Sequence, residues 1–159
     1  MPLDYYAGGL RQYDPKRPCL AAESGVPPHL GSPFQFVLQH TEELCEFIRL
    51  ELSSVEIQWT SLSDPERVQR IATIVGVAVG RFIHVHPFLN GNGRMSRVLW
   101  TVLLARLQLP RQLSIVRRPG PPYDTVMSEA MQGNYGPAVA MVLRALNDGP
   151  RPPAALPAP

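Results

Sequence analysis

The residues best suited to chemistry lie in one stretch of the chain, HPFLNGNGRMSR at residues 86–97. It contains one imidazole, His86, and two guanidiniums, Arg94 and Arg97, around a glycine-rich turn at 91–93. Glycines let backbone N–H groups approach an anion closely, and the free N–H groups at a helix N-terminus attract negative charge. Arginines three positions apart share a helical face, where both can fork onto phosphate oxygens. The stretch therefore predicts a phosphate site with His86 at its rim as a general base.

The simpler interpretation of this stretch is a Gly-Asn turn between two core helices, with arginines that are only solvated. A turn needs neither the His-Pro-Phe sequence before it nor two arginines in register, and this favours the phosphate site. His84 and His86 also form a His-x-His pattern, which is an alternative metal site. On a helix the two rings would point to different faces, and no carboxylate or cysteine cluster accompanies them. We therefore interpret His84 as a structural residue.

Two strongly apolar segments flank the stretch and must position it. The segment before it is apolar on nearly every side at 71–79, which predicts a central helix over about 65–85. Pro87 disfavours a helical conformation at His86, so this helix should end just before the imidazole. The next helix should begin near residue 93 or 94. Apolar spacing typical of helices is found at 34–53, 98–109, 123–132 and 136–146.

Composition limits the class of protein. A chain of 159 residues predicts one core, with an arm and flap at 1–33, a helical core at 34–148 and a proline-rich tail at 149–159. A net charge of +2 is too small to predict a nucleic-acid partner.

We find no signal segment and no apolar run as long as a membrane span, so we expect a cytoplasmic protein without a membrane partner; later secretion into another cell is not readable. Cys19 and Cys45 are expected to be reduced thiols, although one disulfide is not excluded.

The stretch at 86–97 resembles the signature of the Fic (filamentation induced by cAMP) family, His-Pro-Phe-x-Asp/Glu-Gly-Asn-Gly-Arg-x-x-Arg. The resemblance implies an all-α fold with a short N-terminal β-hairpin flap. It also implies a protein adenylyltransferase that transfers AMP from ATP, with Mg²⁺, to a hydroxyl of a target protein. By the same resemblance His86 is the catalytic base. The phosphate-binding residues that it implies are Gly91, Asn92, Gly93, Arg94 and Arg97.

Asn90 departs from the signature, because the family has an acidic residue there that holds magnesium. An asparagine offers a carbonyl oxygen but no charge, so Asn90 is a weakened metal position. Three interpretations stay open: an enzyme with weaker metal dependence, a different phosphate donor such as UTP, GTP or a choline nucleotide, or a weakly active binding module. A fourth is that the Asn90-Gly91 step deamidates to the acidic form, which would appear as a mass shift in that peptide.

The resemblance extends to the partners. Residues 1–33 are rich in glycine, proline and tyrosine, and their position resembles that of the Fic flap, whose edge would hold the target protein; the alternative is an unimportant arm. Many Fic enzymes carry an inhibitory helix with Ser/Thr-x-x-x-Glu-Gly/Asn, whose Glu pairs with the second motif arginine, here Arg97. The sequences starting at Ser128 and Thr125 only approach this pattern. The resemblance therefore implies an unrestrained enzyme, a separate inhibitory protein that supplies a Glu to Arg97, or a chain trimmed of its inhibitor.

Overall fold

The computed structural model describes residues 9–26, 29–107, 109 and 119–148. Within these ranges the structure is mostly helical, which confirms the all-α prediction. The proline-rich tail predicted at 149–159 lies outside the described residues. The α-helices are α1 (Val37–Gln58), α2 (Asp64–Val85), α3 (Asn92–Arg106), α4 (Tyr123–Met131) and α5 (Gly136–Asn147). Short 3-10 turns occur at Pro18–Ala21, Phe34–Phe36 and Trp59–Ser61.

The helix at the centre of the fold is α2, which packs against α1, α3, α4 and α5. Its N-terminus is fixed by a capping box, in which the Ser63 side chain accepts from the Glu66 backbone N–H and the Ser63 N–H donates to the Glu66 carboxylate at 2.8 Å. The Ser63 hydroxyl also donates to that carboxylate, at 2.6 Å. Apolar side chains from several faces of α2 are buried, as the sequence predicted. They are Ile71, Ala72, Ile74, Val75, Ala78, Val79, Ile83 and Val85.

Glycines allow α5 and the turn before it to approach α2 closely. A Cβ on Gly76 would lie 2.5 Å from Val139 Cα, and one on Gly80 would lie 2.7 Å from Tyr135 Cδ1. Both distances are too short for a real contact, so the packing requires glycine at these two positions. This tight packing holds α2 against the rest of the core.

The length and hydropathy of α2 are those of a membrane span, contrary to our expectation that no apolar run is so long. Of its most apolar window, however, 56% is buried inside the protein. The core helix of a soluble protein has the same length and composition, so this feature is weak evidence for a membrane.

The N-terminal arm contains the only strands that the described residues form. Strand β1 (Gly25–Val26) pairs antiparallel with β2 (His29–Leu30), and Gly25 faces Leu30 across the pair. Residues 27 and 28 between them lie outside the described part. Nearer the N-terminus, Leu10 forms an isolated antiparallel bridge with Phe88, so the arm reaches the loop after α2. A role of this arm as a target-binding flap stays a prediction.

Candidate active site

The helix α2 ends where the sequence predicted, and His86 is the residue that ends it. The His86 N–H still donates to the Phe82 carbonyl at 3.0 Å, but its backbone is left-handed, with φ 50° and ψ 58°. Among the described residues it is the only one other than glycine with a positive φ. A left-handed conformation costs a non-glycine residue roughly 1–2 kcal/mol, so other contacts must stabilise it.

The imidazole of His86 is held with one nitrogen available. Its Nδ1 lies 3.3 Å from the Ile83 carbonyl, and a carbonyl only accepts, so Nδ1 carries the proton of the neutral ring. Nε2 is then the basic nitrogen. Burial lowers the pKa of His86; the hydrogen bond to Ile83 opposes this shift, and the positive charge of Arg11 adds to it. A neutral imidazole with a free Nε2 is the form that can accept a proton at neutral pH.

The glycine-rich turn is braced by the side chain of Asn92. Its Oδ1 accepts from the Phe88 N–H at 3.0 Å, while its Nδ2 donates to the Phe88 carbonyl at 2.7 Å. Asn92 is 2% exposed, and its side-chain amide holds the loop at Phe88. Only the backbone N–H of Asn92 is therefore left to bind an anion. Gly91 sits just before α3 with φ 85°, which glycine adopts without strain.

The first turn of α3 presents donors to the space above the loop. The backbone N–H groups of Asn92 and Gly93 donate to no acceptor within the described residues. Arg97 is 6% exposed, and its Nη1 donates to the Gly93 carbonyl at 2.6 Å, whereas Arg94 is exposed. All four residues line one cavity, so the predicted phosphate-binding groups converge. Helix-terminal amides beside guanidiniums form an environment that attracts phosphate.

Asn90 is exposed at the rim of this cavity, and its Oδ1 accepts from the Gly91 N–H at 2.7 Å. This oxygen retains a second lone pair that can face a metal, but the residue carries no charge. Across the described residues there is no group of three metal-binding side chains. These residues do not form a magnesium site by themselves, so a metal here would have to be held mainly by the phosphates of a nucleotide.

The cavity has a volume of about 560 Å³, and α4 forms its far wall. Sequence reasoning missed this wall, because the spacing within α4 does not show which other helix it faces. The buried Met127 and Ile83 give the cavity an apolar side, whereas Asp124 contributes a carboxylate. The hydroxyl of Tyr123 lies 3.0 Å from the hydroxyl of Ser96 and so connects α4 to α3. An apolar wall opposite a phosphate site suits a flat base attached to a phosphate chain.

The other candidates from the sequence lie away from this cavity. His84 faces Tyr135 edge-on, with ring centroids 6.3 Å apart, and lines a separate cavity of about 210 Å³. Burial lowers the pKa of His84, and the Ala130 carbonyl opposes this shift. Glu129, the glutamate of the near match that starts at Thr125, accepts from Asn134 Nδ2 at 3.2 Å and is not a lining residue. Cys19 and Cys45 are free thiols.

Comparison with known proteins decides the family. A model of the Fic/DOC family matches residues 4–104, which is more than half of the 159 residues and includes the whole stretch at 86–97. The chain belongs to the Fic/DOC family. It is also similar to the protein adenylyltransferase Fic of Nematostella vectensis, at 26% identity over 109 residues, or 69% of this chain and 25% of that protein.

The chain thus spans about a quarter of the length of this curated relative of the Fic/DOC family. No solved structure matched the chain. Family membership and the distant adenylyltransferase support Fic-type transferase chemistry in general, and the resemblance inferred from the signature is confirmed. The roles of the individual site residues stay predictions.

Proposed function

We propose that this protein transfers AMP from ATP to a hydroxyl side chain of another protein. The observation that carries the proposal is the position of His86, whose imidazole lines a cavity together with the first turn of α3 and two arginines. Burial lowers the pKa of this imidazole, which favours its basic form. This arrangement pairs a base with an anion site, as nucleotidyl transfer requires. Membership of the Fic/DOC family supports it independently.

In the proposed reaction, Nε2 of His86 takes the proton of the target hydroxyl. The hydroxyl oxygen forms a bond to the α-phosphorus, the bond from that phosphorus to the β-phosphate bridging oxygen breaks, and pyrophosphate leaves with its electron pair. The backbone amides at 92 and 93 and the side chains of Arg94 and Arg97 stabilise the phosphate charge. ATP enters as its magnesium complex, and the apolar side of the cavity accepts the base. Positioning and electrostatics provide most of the rate enhancement.

The target and the regulation are also proposals. We place the target protein along β1 and β2, where an extended peptide could add to an exposed edge. Since Glu129 does not line the site, we propose that a restraining Glu that pairs with Arg97 would come from outside the described residues, either from a separate protein or from a further segment of a longer chain. Such a carboxylate would compete with the nucleotide phosphates for the same guanidinium.

One observation favours a second candidate function. Asn90 carries no charge, and its oxygen is bonded to the Gly91 N–H. A site with weak metal affinity would suit a module that binds partners with little turnover. UTP and GTP carry the same phosphates as ATP, so these donors and a choline nucleotide differ from ATP in the group that the apolar wall would hold. These alternatives keep the fold and the anion site but differ in what is transferred.

The position of the label in ATP tests the proposal. The protein is incubated in a cell lysate with magnesium and ATP labelled in the α- or the γ-phosphate, with His86→Gln as the background control. AMP transfer predicts protein labelling above the His86→Gln background from α-labelled ATP only. Labelling above that background from γ-labelled ATP would contradict it, and so would labelling from UTP, GTP or a choline nucleotide alone. Asn90→Asp separates a weak metal site from the wrong donor, because restored transfer from ATP would show that only the metal position was deficient.

A further inference from the structure

Some carbonyls at the C-terminal end of α2 need hydrogen-bond donors that the residues of the Fic signature do not supply. The last carbonyls of a helix have no partner within it, and burying them unpaired costs free energy. Many helices solve this with a glycine in the left-handed position, but here that position is His86. Contacts from elsewhere in the chain must therefore both satisfy the carbonyls and maintain the conformation.

Arg11 makes most of these contacts. Its Nε donates to the His86 carbonyl at 2.7 Å, its Nη2 donates to the Val85 carbonyl at 2.9 Å, and its backbone N–H donates to the Pro87 carbonyl at 2.8 Å. Three consecutive carbonyls around the left-handed residue are thus bonded to one side chain and its own backbone. The Ser32 N–H completes the set by donating to the His84 carbonyl at 2.9 Å.

The environment of Arg11 shows that this arrangement is built into the fold. The residue is 1% exposed, and its guanidinium also donates to the carbonyls of Ala22 and Ser32, at 3.1 and 2.7 Å. It forms no ion pair among the described residues, so carbonyls and the negative end of the α2 dipole compensate its charge. Burial lowers the pKa of Arg11, and the negative charge of Glu23 opposes this shift. The guanidinium nevertheless stays charged at neutral pH.

A second part of the arm lies against His86 at its Cβ. A Cβ on Gly31 would lie 2.9 Å from His86 Cβ and 3.1 Å from the His84 carbonyl oxygen. The backbone at 31 therefore lies against the base of the His86 side chain and restricts its movement. Arg11 and the backbone at 31 are neighbours, because a Cβ on Gly31 would lie 3.6 Å from Arg11 Nη2. Together they confine His86 without touching the nucleotide cavity, since neither residue lines it.

We infer that Arg11 is a positioning residue, which fixes the backbone of His86 in its left-handed conformation and so directs the imidazole into the cavity. The inference rests on the proposed function only for its activity readout. Because a displacement of about 1 Å can cost about a hundredfold in rate, loss of this residue should affect the chemical step more than nucleotide binding. The N-terminal arm is then part of the active site's support as well as a candidate docking edge.

The test compares Arg11→Met and Arg11→Lys with Arg67→Met. Arg67 is a matched control because it is also buried, 7% exposed, and donates to a carbonyl, that of Trp59, but at the other end of α2. We expect Arg11→Met to lower kcat for transfer by about 10- to 100-fold with KM for ATP within about twofold. The lysine variant keeps the charge and some donors and should lose less. Arg67→Met should reduce stability and leave kcat unchanged.

A readout without activity separates this inference from the proposed function. The ¹³Cα chemical shift of His86 reports its backbone conformation, and it should move in Arg11→Met but stay as in the wild type in Arg67→Met. Gly31→Ala should lower kcat with Arg11 still present. The inference is overturned if His86 keeps its Cα shift in Arg11→Met, or if KM rises while kcat stays. Unfolding of both Arg11 variants would also overturn it, because Arg11 would then be needed for the fold itself.

Discussion

The two ends of α2 are stabilised in different ways. At the N-terminus, Ser63 and Glu66 bond to each other within one turn, and Arg67 bonds to Asp64 and to the nearby Trp59 carbonyl. At the C-terminus, the carbonyl of His86 is bonded by Arg11, which lies 75 positions away in the sequence. The first end depends on local contacts and the second on a long-range contact.

The difference separates a structural end from a functional one. The N-terminal end has relaxed geometry and takes no part in the cavity. The C-terminal end carries a left-handed His86 whose side chain enters the cavity. A strained backbone conformation at a functional position persists only where surrounding contacts hold it in place. Here contacts from the N-terminal arm hold His86. Changes at the two ends should therefore affect different quantities.

The largest effect is expected for His86→Gln. The proposed rate of AMP transfer should fall by about 10²- to 10⁴-fold, because the base is lost while the size of the side chain is nearly kept. Initial rates with α-labelled ATP measure this. His84→Gln is the matched control, since His84 lies in the same last turn of α2 but lines a different cavity. Equal losses in both variants would contradict the distinction between the two histidines.

A smaller effect is expected from pH. Burial lowers the pKa of His86 below its usual value of 6.5, so the imidazole stays neutral through pH 7. The rate should be flat from about pH 7 to 8 and fall as the pH drops through the lowered pKa, by about tenfold per unit. The lowered pKa values of His84 and His86 also stabilise the folded state above pH 6.5, and this contribution is lost as the pH falls through them. A rate that already falls between pH 8 and 7 would contradict this assignment.

At the structural end we expect a loss of stability without a loss of rate. Arg67→Met removes the donor to the buried Trp59 carbonyl and the cation held 5.5 Å above the Trp59 ring. The free energy of unfolding should fall by about 1–3 kcal/mol, because a buried hydrogen bond from a charged donor is lost. Urea denaturation measures this loss. Transfer rates within about twofold of the wild type, at a temperature where the variant is folded, would agree with the comparison.

The smallest effect is expected for Ser63→Ala. This change removes one hydroxyl from the capping box and leaves the Ser63 backbone donor in place. The Tm should fall by about 2–4 °C, which is typical for the loss of one cap in a domain of this size. Thermal unfolding followed by circular dichroism is sufficient. A loss of transfer rate in this variant would show that the two ends are coupled through α2.

The same comparison explains what the sequence could predict. The start of α2 follows from Ser63, Pro65 and Glu66, and its end from Pro87, because these signals act over one turn of chain. The convergence of 91–93 with Arg94 and Arg97 was predictable for the same reason. The role of Arg11 and the α4 wall of the cavity depend on contacts between distant segments, which periodicity within a segment does not encode. Asn90 was recognised as neutral, but its bond to Gly91 is visible only in the structure.

The protonation state of His86 tests the central claim most directly. To act as the base, His86 needs a neutral ring at pH 7 with the proton on Nδ1 and a free Nε2. Nitrogen-15 NMR of labelled histidine distinguishes the two nitrogens, and His86→Gln identifies the signals by their disappearance. We predict a protonated, pyrrole-type Nδ1 and an unprotonated, pyridine-type Nε2 at pH 7. A His86 imidazolium at that pH, or a ring with the proton on Nε2, would contradict its assignment as the base.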